Sequence, residues 1–153
     1  MDLGLAGKVA AITGGSEGIG RATAFRLCEE GVRVAICARR EHVLQTTAQE
    51  IASATDGEVL AVRADVANPA DCAQFMQQTV ERFGRLDILV NNAGRSSTMA
   101  FEQAVDEVWE EDIEVKLYGA IRCTRLAIPH MRRQGGGRII TMTGIAGKQP
   151  GAR

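Results

Sequence analysis

Aromatic residues are scarce in this sequence: one Trp, one Tyr and four Phe among 153 residues, 4% of the chain. So few rings cannot build a stacking platform for single-stranded nucleic acid. A basic excess is missing too. Lys and Arg total 18 against 19 Asp and Glu, a formal net charge of −1. Phosphate backbones therefore find no attractive field here, and nucleic acid is not an expected partner. Histidine is limited to His42 and His130, both on polar stretches, where they read as solvated. The four cysteines, Cys28, Cys37, Cys72 and Cys123, are widely spaced with no Cys-x-x-Cys pair. No zinc spacing can be assembled from them, so no metal is expected. The N-terminal residues MDLGLAGK lack a basic segment followed by an apolar run. Scattered thiols without such a signal read as reduced core cysteines, and the expected location is cytoplasmic. No apolar stretch approaches the length of a membrane span, so membrane is not an expected partner.

What the sequence does have is a globular composition, 45% hydrophobic and 24% charged, and a length that suits one domain. Glycine is frequent at 17 residues while proline is rare at 3, so the glycines mark tight turns or close approaches rather than disorder. The pattern alternates along the chain. Lys8–Thr13, Val32–Cys37, Glu58–Ala64, Leu86–Val90 and Arg138–Thr143 read as strands. Helical periodicity occupies Gly18–Glu30 (closed by Gly31), Arg40–Ala54, a segment from the Asn68-Pro69 cap to about Phe83, and a long run from about Asp106 to Arg133. Strands alternating with helices require crossover connections, hence a parallel sheet covered on both faces. The strands are nearly continuous in Val, Ile, Leu and Ala, as burial on two sides demands.

The first strand runs into Thr13-Gly14-Gly15-Ser16-Glu17-Gly18-Ile19-Gly20 and then directly into a helix. Glycines in that context let the backbone approach a pyrophosphate, and the helix N-terminus supplies N–H donors. The order is TGxxxGxG, not G-x-G-x-x-G, and no Lys-Ser/Thr follows to make a Walker loop. Asp65-Val66 follows the third strand, and Asn91-Asn92-Ala93-Gly94 ends the fourth. With these three motifs at successive strand ends, the chain resembles the short-chain dehydrogenase/reductase family over its whole length.

The resemblance implies a doubly wound α/β Rossmann fold of strand order 3-2-1-4-5, with residues 1–153 forming a dinucleotide-binding domain. It also implies two further strands that have no counterpart here, so the chain reads as the N-terminal part of a longer protein. Gly14, Ser16, Glu17, Gly18, Ile19 and Gly20 are then expected at the cofactor phosphates. Asp65 and Val66 are expected at the adenine, and Asn92, Ala93 and Gly94 at the ribose and nicotinamide. An NAD site of this kind carries a carboxylate after the second strand. This sequence has Arg39-Arg40 there. Guanidinium groups suit a 2′-phosphate, so NADP(H) is favoured over NAD(H). The alternative is a solvated basic helix start, opposed by the helix dipole and partly neutralised by Glu41.

The family's chemistry is hydride transfer between nicotinamide and a small carbonyl or alcohol, with a Tyr-x-x-x-Lys pair handling the proton. Spacing puts that pair beyond Arg153; the single tyrosine, Tyr118, lies in the long helix. Two positions depart from the family pattern. Its helical Val-Asn-Leu-x-Gly reads Val115-Lys116-Leu117-Tyr118-Gly119, and its second active-site serine aligns with Gly144. Lys116 and Thr143 are left as candidate catalytic side chains. Lys116 alternatively lies on the surface, and Thr143 alternatively points to the opposite face of its strand. A non-catalytic NADP(H)-binding sensor or interaction module is the competing function, and the 153-residue chain by itself is expected to be inactive. Trp109 and the apolar residues Val108, Ile113, Leu117, Ile121 and Ile128 are expected in the core or in a homodimer or homotetramer interface.

Overall fold

A computed structural model describes residues 3–94 and 99–144 of the chain. Five strands alternate with helices: β1 Val9–Thr13, α1 Gly18–Glu29, β2 Arg33–Ala38, α2 Glu41–Thr55, β3 Val59–Arg63, α3 Pro69–Phe83 and β4 Ile88–Asn91. A short 3₁₀ turn at Phe101–Gln103 precedes α4, Asp106–Ile113, and α5, Gly119–Arg133, leads into β5, Arg138–Thr141. All strand pairs are parallel, in the order β3-β2-β1-β4-β5. This is the expected doubly wound sheet.

Alternation of side chains splits the strands between two cores. Val9, Ala11, Ala35 and Cys37 face one side, where Phe75 and Met76 of α3 and Cys123 and Ala127 of α5 cover them. Ala10, Ile12, Val34 and Ile36 face the other side, beneath Ala24 and Cys28 of α1 and Leu44, Ala48 and Ile51 of α2. Phe75 is fully buried, which stabilises the first layer by about 2–3 kcal/mol. The helix ends follow their signals. Asn68 caps α3, its Oδ1 accepting from the Ala70 N–H at 2.9 Å, with Pro69 next in line. Gly31 takes the left-handed conformation that closes α1.

Two expectations need correction. The run from Asp106 to Arg133 is helical throughout, but Glu114–Tyr118 forms a π turn that separates α4 from α5. Such widened turns insert one residue into the ladder and re-aim the side chains they carry. The last strand stops at Thr141, not Thr143, because its partner β4 ends at Asn91, the residue opposite Thr141. That strand is also exposed along its length, not buried on two sides, since β4 is its single sheet neighbour among the described residues.

Asp87 closes the amino end of the sheet, just before β4. Its carboxylate accepts the Val9 N–H at 2.9 Å and two Arg85 bonds at 2.8 and 2.6 Å, and Gln134 Nε2 reaches it at 3.2 Å. Burial alone would raise its pKa. The Arg85 hydrogen bonds, the Val9 N–H and the charges of Arg85 and Lys8 outweigh burial and hold it below the ordinary carboxylate value.

Candidate functional site

The opposite, carboxyl end of the sheet opens into a cleft of about 1840 Å³. Open α/β sheets bind ligands at this end, where the strand order reverses between β1 and β4. The loop after β1 brings Gly14, Ser16, Glu17, Gly18 and Ile19 to the cleft, and the loop after β2 brings Arg39 and Arg40. Asp65 and Val66 follow from β3, and Asn92, Ala93 and Gly94 from β4. Lys116 and Thr143 line the facing wall.

The glycine loop owes its shape to clearances that no other residue satisfies. Gly14 has φ +65°, and a Cβ there would lie 2.9 Å from Ala93 Cα. Gly18 has φ +54° with open space beside it. Gly20 is set back from the cleft lining. It is buried, and a Cβ would lie 2.2 Å from the Gly14 carbonyl oxygen and 2.5 Å from Asn92 Nδ2. Its role is to seat α1 against the loop. Gly15, passed over in the sequence, does the same toward β2, where a Cβ would meet Ile36 at 2.6 Å. The signal was present: the second of two adjacent glycines directly after a buried strand.

The loop's carbonyls are held inward. Asn92 Nδ2 donates to Thr13 O at 3.1 Å and Gly14 O at 3.0 Å, and the Thr47 hydroxyl donates to Ser16 O at 2.8 Å. Thr13 Oγ1 accepts the N–H groups of Asn92 and Ala93, each at 3.0 Å. Among the described residues no side chain caps the first turn of α1, and no acidic residue sits in that turn. Its open N–H groups and positive dipole end therefore favour an anion at the cleft.

Charge at the mouth is arranged differently from expectation. Arg40 pairs with Glu17 of the glycine loop, rather than the two arginines sharing Glu41. Geometry explains this: Arg40 is the residue that caps α2 and faces the loop end. Arg39 is exposed and has no ion pair among the described residues. Deeper in, Asn91 is buried with Nδ2 on Thr124 Oγ1 at 3.1 Å, while its Oδ1 has no hydrogen-bond partner among the described residues. The Asp65 loop is fixed by its own backbone: Asp65 Oδ1 accepts the Ala67 N–H at 3.0 Å, and Asp71 accepts the Asp65 N–H at 2.8 Å.

The π turn carries the facing wall. Lys116 Nζ is 2.5 Å from Asp112 Oδ2, one turn earlier, and its stem lies 3.6 Å from where a Gly94 Cβ would be. It is thus partly exposed and also at the cleft. Thr143 lies past the end of β5, so strand alternation does not govern it, and it lines the cleft beside Gly144. Tyr118 does not reach the cleft; Arg122 lies over its ring at 5.5 Å.

A family model described as short chain dehydrogenase matches residues 8–153. The chain belongs to this family. It is 38% identical over 150 residues to 11-beta-hydroxysteroid dehydrogenase A of Sesamum indicum, covering 97% of this chain and 43% of that protein. It is 39% identical over 145 residues to the granaticin polyketide synthase putative ketoacyl reductase 2 of Streptomyces violaceoruber, covering 93% and 57%. Among solved structures, L-sorbose reductase from Gluconobacter frateurii, complexed with NADPH and L-sorbose, superposes with a TM-score of 0.94 at 39% identity, covering 98% of this chain and 57% of that one. The short-chain dehydrogenase chain described here therefore spans about half the length of the relatives it matches. Within that half, the five parallel strands and the three loop motifs are present.

Proposed function

We propose that this chain is the nucleotide-binding portion of an NADP(H)-dependent oxidoreductase, and that the cleft is the cofactor site. The observation that carries this reading is the pairing of a helix N-terminus with an arginine, Arg39, both without a partner among the described residues, on one glycine-lined cleft. The residues present fit the cofactor. Open space at Gly18 and the free N–H groups of α1 suit a pyrophosphate, with Ser16, Glu17 and Ile19 around it. Arg39 suits a 2′-phosphate, with Arg40 held beside it by Glu17. Asp65 and Val66 would border the adenine, and Asn92, Ala93 and Gly94 the ribose and nicotinamide. Bound there, the cofactor would give or take a hydride at a carbonyl or alcohol carbon.

The chain's own contribution to the chemistry is positional. Lys116 places a cation at the nicotinamide end of the cleft, partly neutralised by Asp112. Thr143 offers the nearest hydroxyl to a substrate oxygen where Gly144 offers none. Residues 1–153 form one dinucleotide-binding domain in this reading, located in the cytoplasm. Two copies are proposed to pair along α4 and α5. Ile113, Leu117, Ile121 and Ile128 are exposed there, α4 is acidic at Asp106, Glu107 and Glu110, and α5 is basic at Arg125, Arg132 and Arg133. Antiparallel association sets acid against base around an apolar seam.

A second reading, a non-catalytic NADP(H)-binding module, is favoured by one observation: Lys116 is engaged with Asp112 and Gly144 carries no side chain. Assays of the full-length protein with NADPH and a panel of ketones, quinones and aldehydes separate the two. Turnover supports the oxidoreductase. NADPH binding without turnover on any of them supports the module.

A further inference from the structure

The glycine loop and the start of α2 meet in one ion pair, Glu17 with Arg40. The backbones that carry it are fixed. Glu17 precedes α1, its carbonyl accepting the Arg21 N–H at 3.1 Å. The carbonyl of Ser16 is held by the Thr47 hydroxyl of α2 at 2.8 Å, and the Gly15 N–H donates to Cys37 O of β2 at 3.1 Å. Arg40 precedes α2, its carbonyl accepting the Leu44 N–H at 3.0 Å. The loop and α2 are thus tied at a set separation, and both side chains line the cleft. The Glu17 carboxylate makes no capping hydrogen bond to α1, so its partner among the described residues is Arg40.

Both side chains are more than half exposed. An ion pair in that position contributes little to stability and exchanges readily. Arg39, next along, has no ion pair among the described residues. Asp65, the carboxylate that the loop after β3 brings to the cleft, is engaged by the Ala67 N–H. Glu17 is therefore the carboxylate that meets the arginine charge at this mouth. It also stands at the end of α1, where open N–H groups and the helix dipole favour an anion.

From this arrangement we infer that Glu17 is an internal competitor for the cofactor's phosphates, the residue that sets how tightly the cleft holds NADP(H) and by what margin over NAD(H). The inference rests on reading the cleft as the cofactor site. In the free protein the carboxylate occupies Arg40, so Arg39 alone faces a 2′-phosphate. That phosphate carries about −1.5 to −2 charge near neutral pH, against −1 for the carboxylate, and draws Arg40 away to join Arg39. Glu17 is then left unpaired beside the phosphates, and like charge opposes binding. The two effects differ in reach. Repulsion of the pyrophosphate acts on both cofactors, whereas the withheld guanidinium acts on NADPH alone.

The test is titration of the full-length protein with NADPH and NADH, followed by nicotinamide fluorescence. Glu17→Gln keeps the length of the side chain and removes its charge. It is expected to lower the dissociation constant for NADPH about tenfold and that for NADH about threefold, widening the preference for NADPH about threefold. Adding Arg40→Gln should cancel that widening, because the released guanidinium is its source. Should glutamine disturb the loop, Glu17→Ser, whose hydroxyl suits a helix N-cap, is expected to shift both cofactors in the same direction. A purely structural ion pair would instead weaken both cofactors alike. That result, or an unchanged preference in Glu17→Gln, would overturn the inference while the unaltered protein still binds and the cofactor site stands. An unaltered protein that binds neither cofactor would overturn the reading of the cleft, and this inference with it.

Discussion

The two walls of the cleft are made of different material. The wall formed by the loops after β1 and β4 is largely backbone: glycine clearances of 2.9 Å or less at Gly14, Gly15 and Gly20, and carbonyls pinned by Asn92 and Thr47. The wall formed by the π turn, α5 and the end of β5 is made of side chains, many of them exposed, with charge at Lys116 and Arg125. This wall tolerates little substitution, because an added Cβ meets a neighbour at Gly14, Gly15 and Gly20 and is strained by the positive φ at Gly18. Side-chain walls tolerate change because one rotamer can replace another. The departures from the family pattern, Lys116 and Gly144, both fall on the tolerant wall.

That contrast can be broken most forcefully at Gly20. A valine there drives its Cβ into the Gly14 carbonyl, and urea unfolding should show a loss of about 3 kcal/mol, with NADPH binding abolished. A fully stable Gly20→Val protein would mean that the loop can yield and that the backbone wall is not rigid.

Asp87 tests the same sheet from its other end. Asp87→Asn should cost about 2 kcal/mol at neutral pH, since it removes charge-assisted bonds to Arg85, and should leave NADPH affinity unchanged. The folded pKa of Asp87 lies below its unfolded value. Its stabilisation is therefore complete above the ordinary carboxylate range and disappears as pH falls through the folded value. Unfolding curves of the two proteins should converge in acid. A constant gap across the pH range would contradict the assigned shift.

Smaller effects should appear at the mouth. Arg39→Asp should weaken NADPH by about 1.5 kcal/mol, roughly tenfold, while NADH changes little, because Arg39 is exposed and its phosphate bond is partly screened. Equal weakening of both cofactors would place Arg39 away from the 2′-phosphate. The smallest stability effect belongs to the facing wall. Lys116→Met removes one exposed i,i+4 pair and should change unfolding by only about 0.3–0.5 kcal/mol, yet alter full-length turnover. A large stability loss there would make Lys116 structural.

The same division explains what could be read from sequence. The strand order and the glycine-lined loops of the cleft were legible because they depend on backbone: glycine positions, apolar strands and strand ends at Thr13 and Asn91. Gly20 also carries a packing task that the sequence did not reveal, since a packing glycine and a ligand glycine look identical in one dimension. The Arg40–Glu17 pair joins residues from two different strand ends and has no local signature. The π turn hides inside a helical periodicity that one inserted residue barely disturbs. Thr143 was judged by strand alternation, but the strand had already ended two residues earlier.

Titration of the unaltered protein with NADPH and with NADH, followed by nicotinamide fluorescence, tests the central claim most directly. The account predicts saturable binding of both, with NADPH the tighter by roughly tenfold, the margin assigned to Arg39. No binding of either cofactor would contradict the assignment of the cleft, and equal affinities would contradict the role of Arg39.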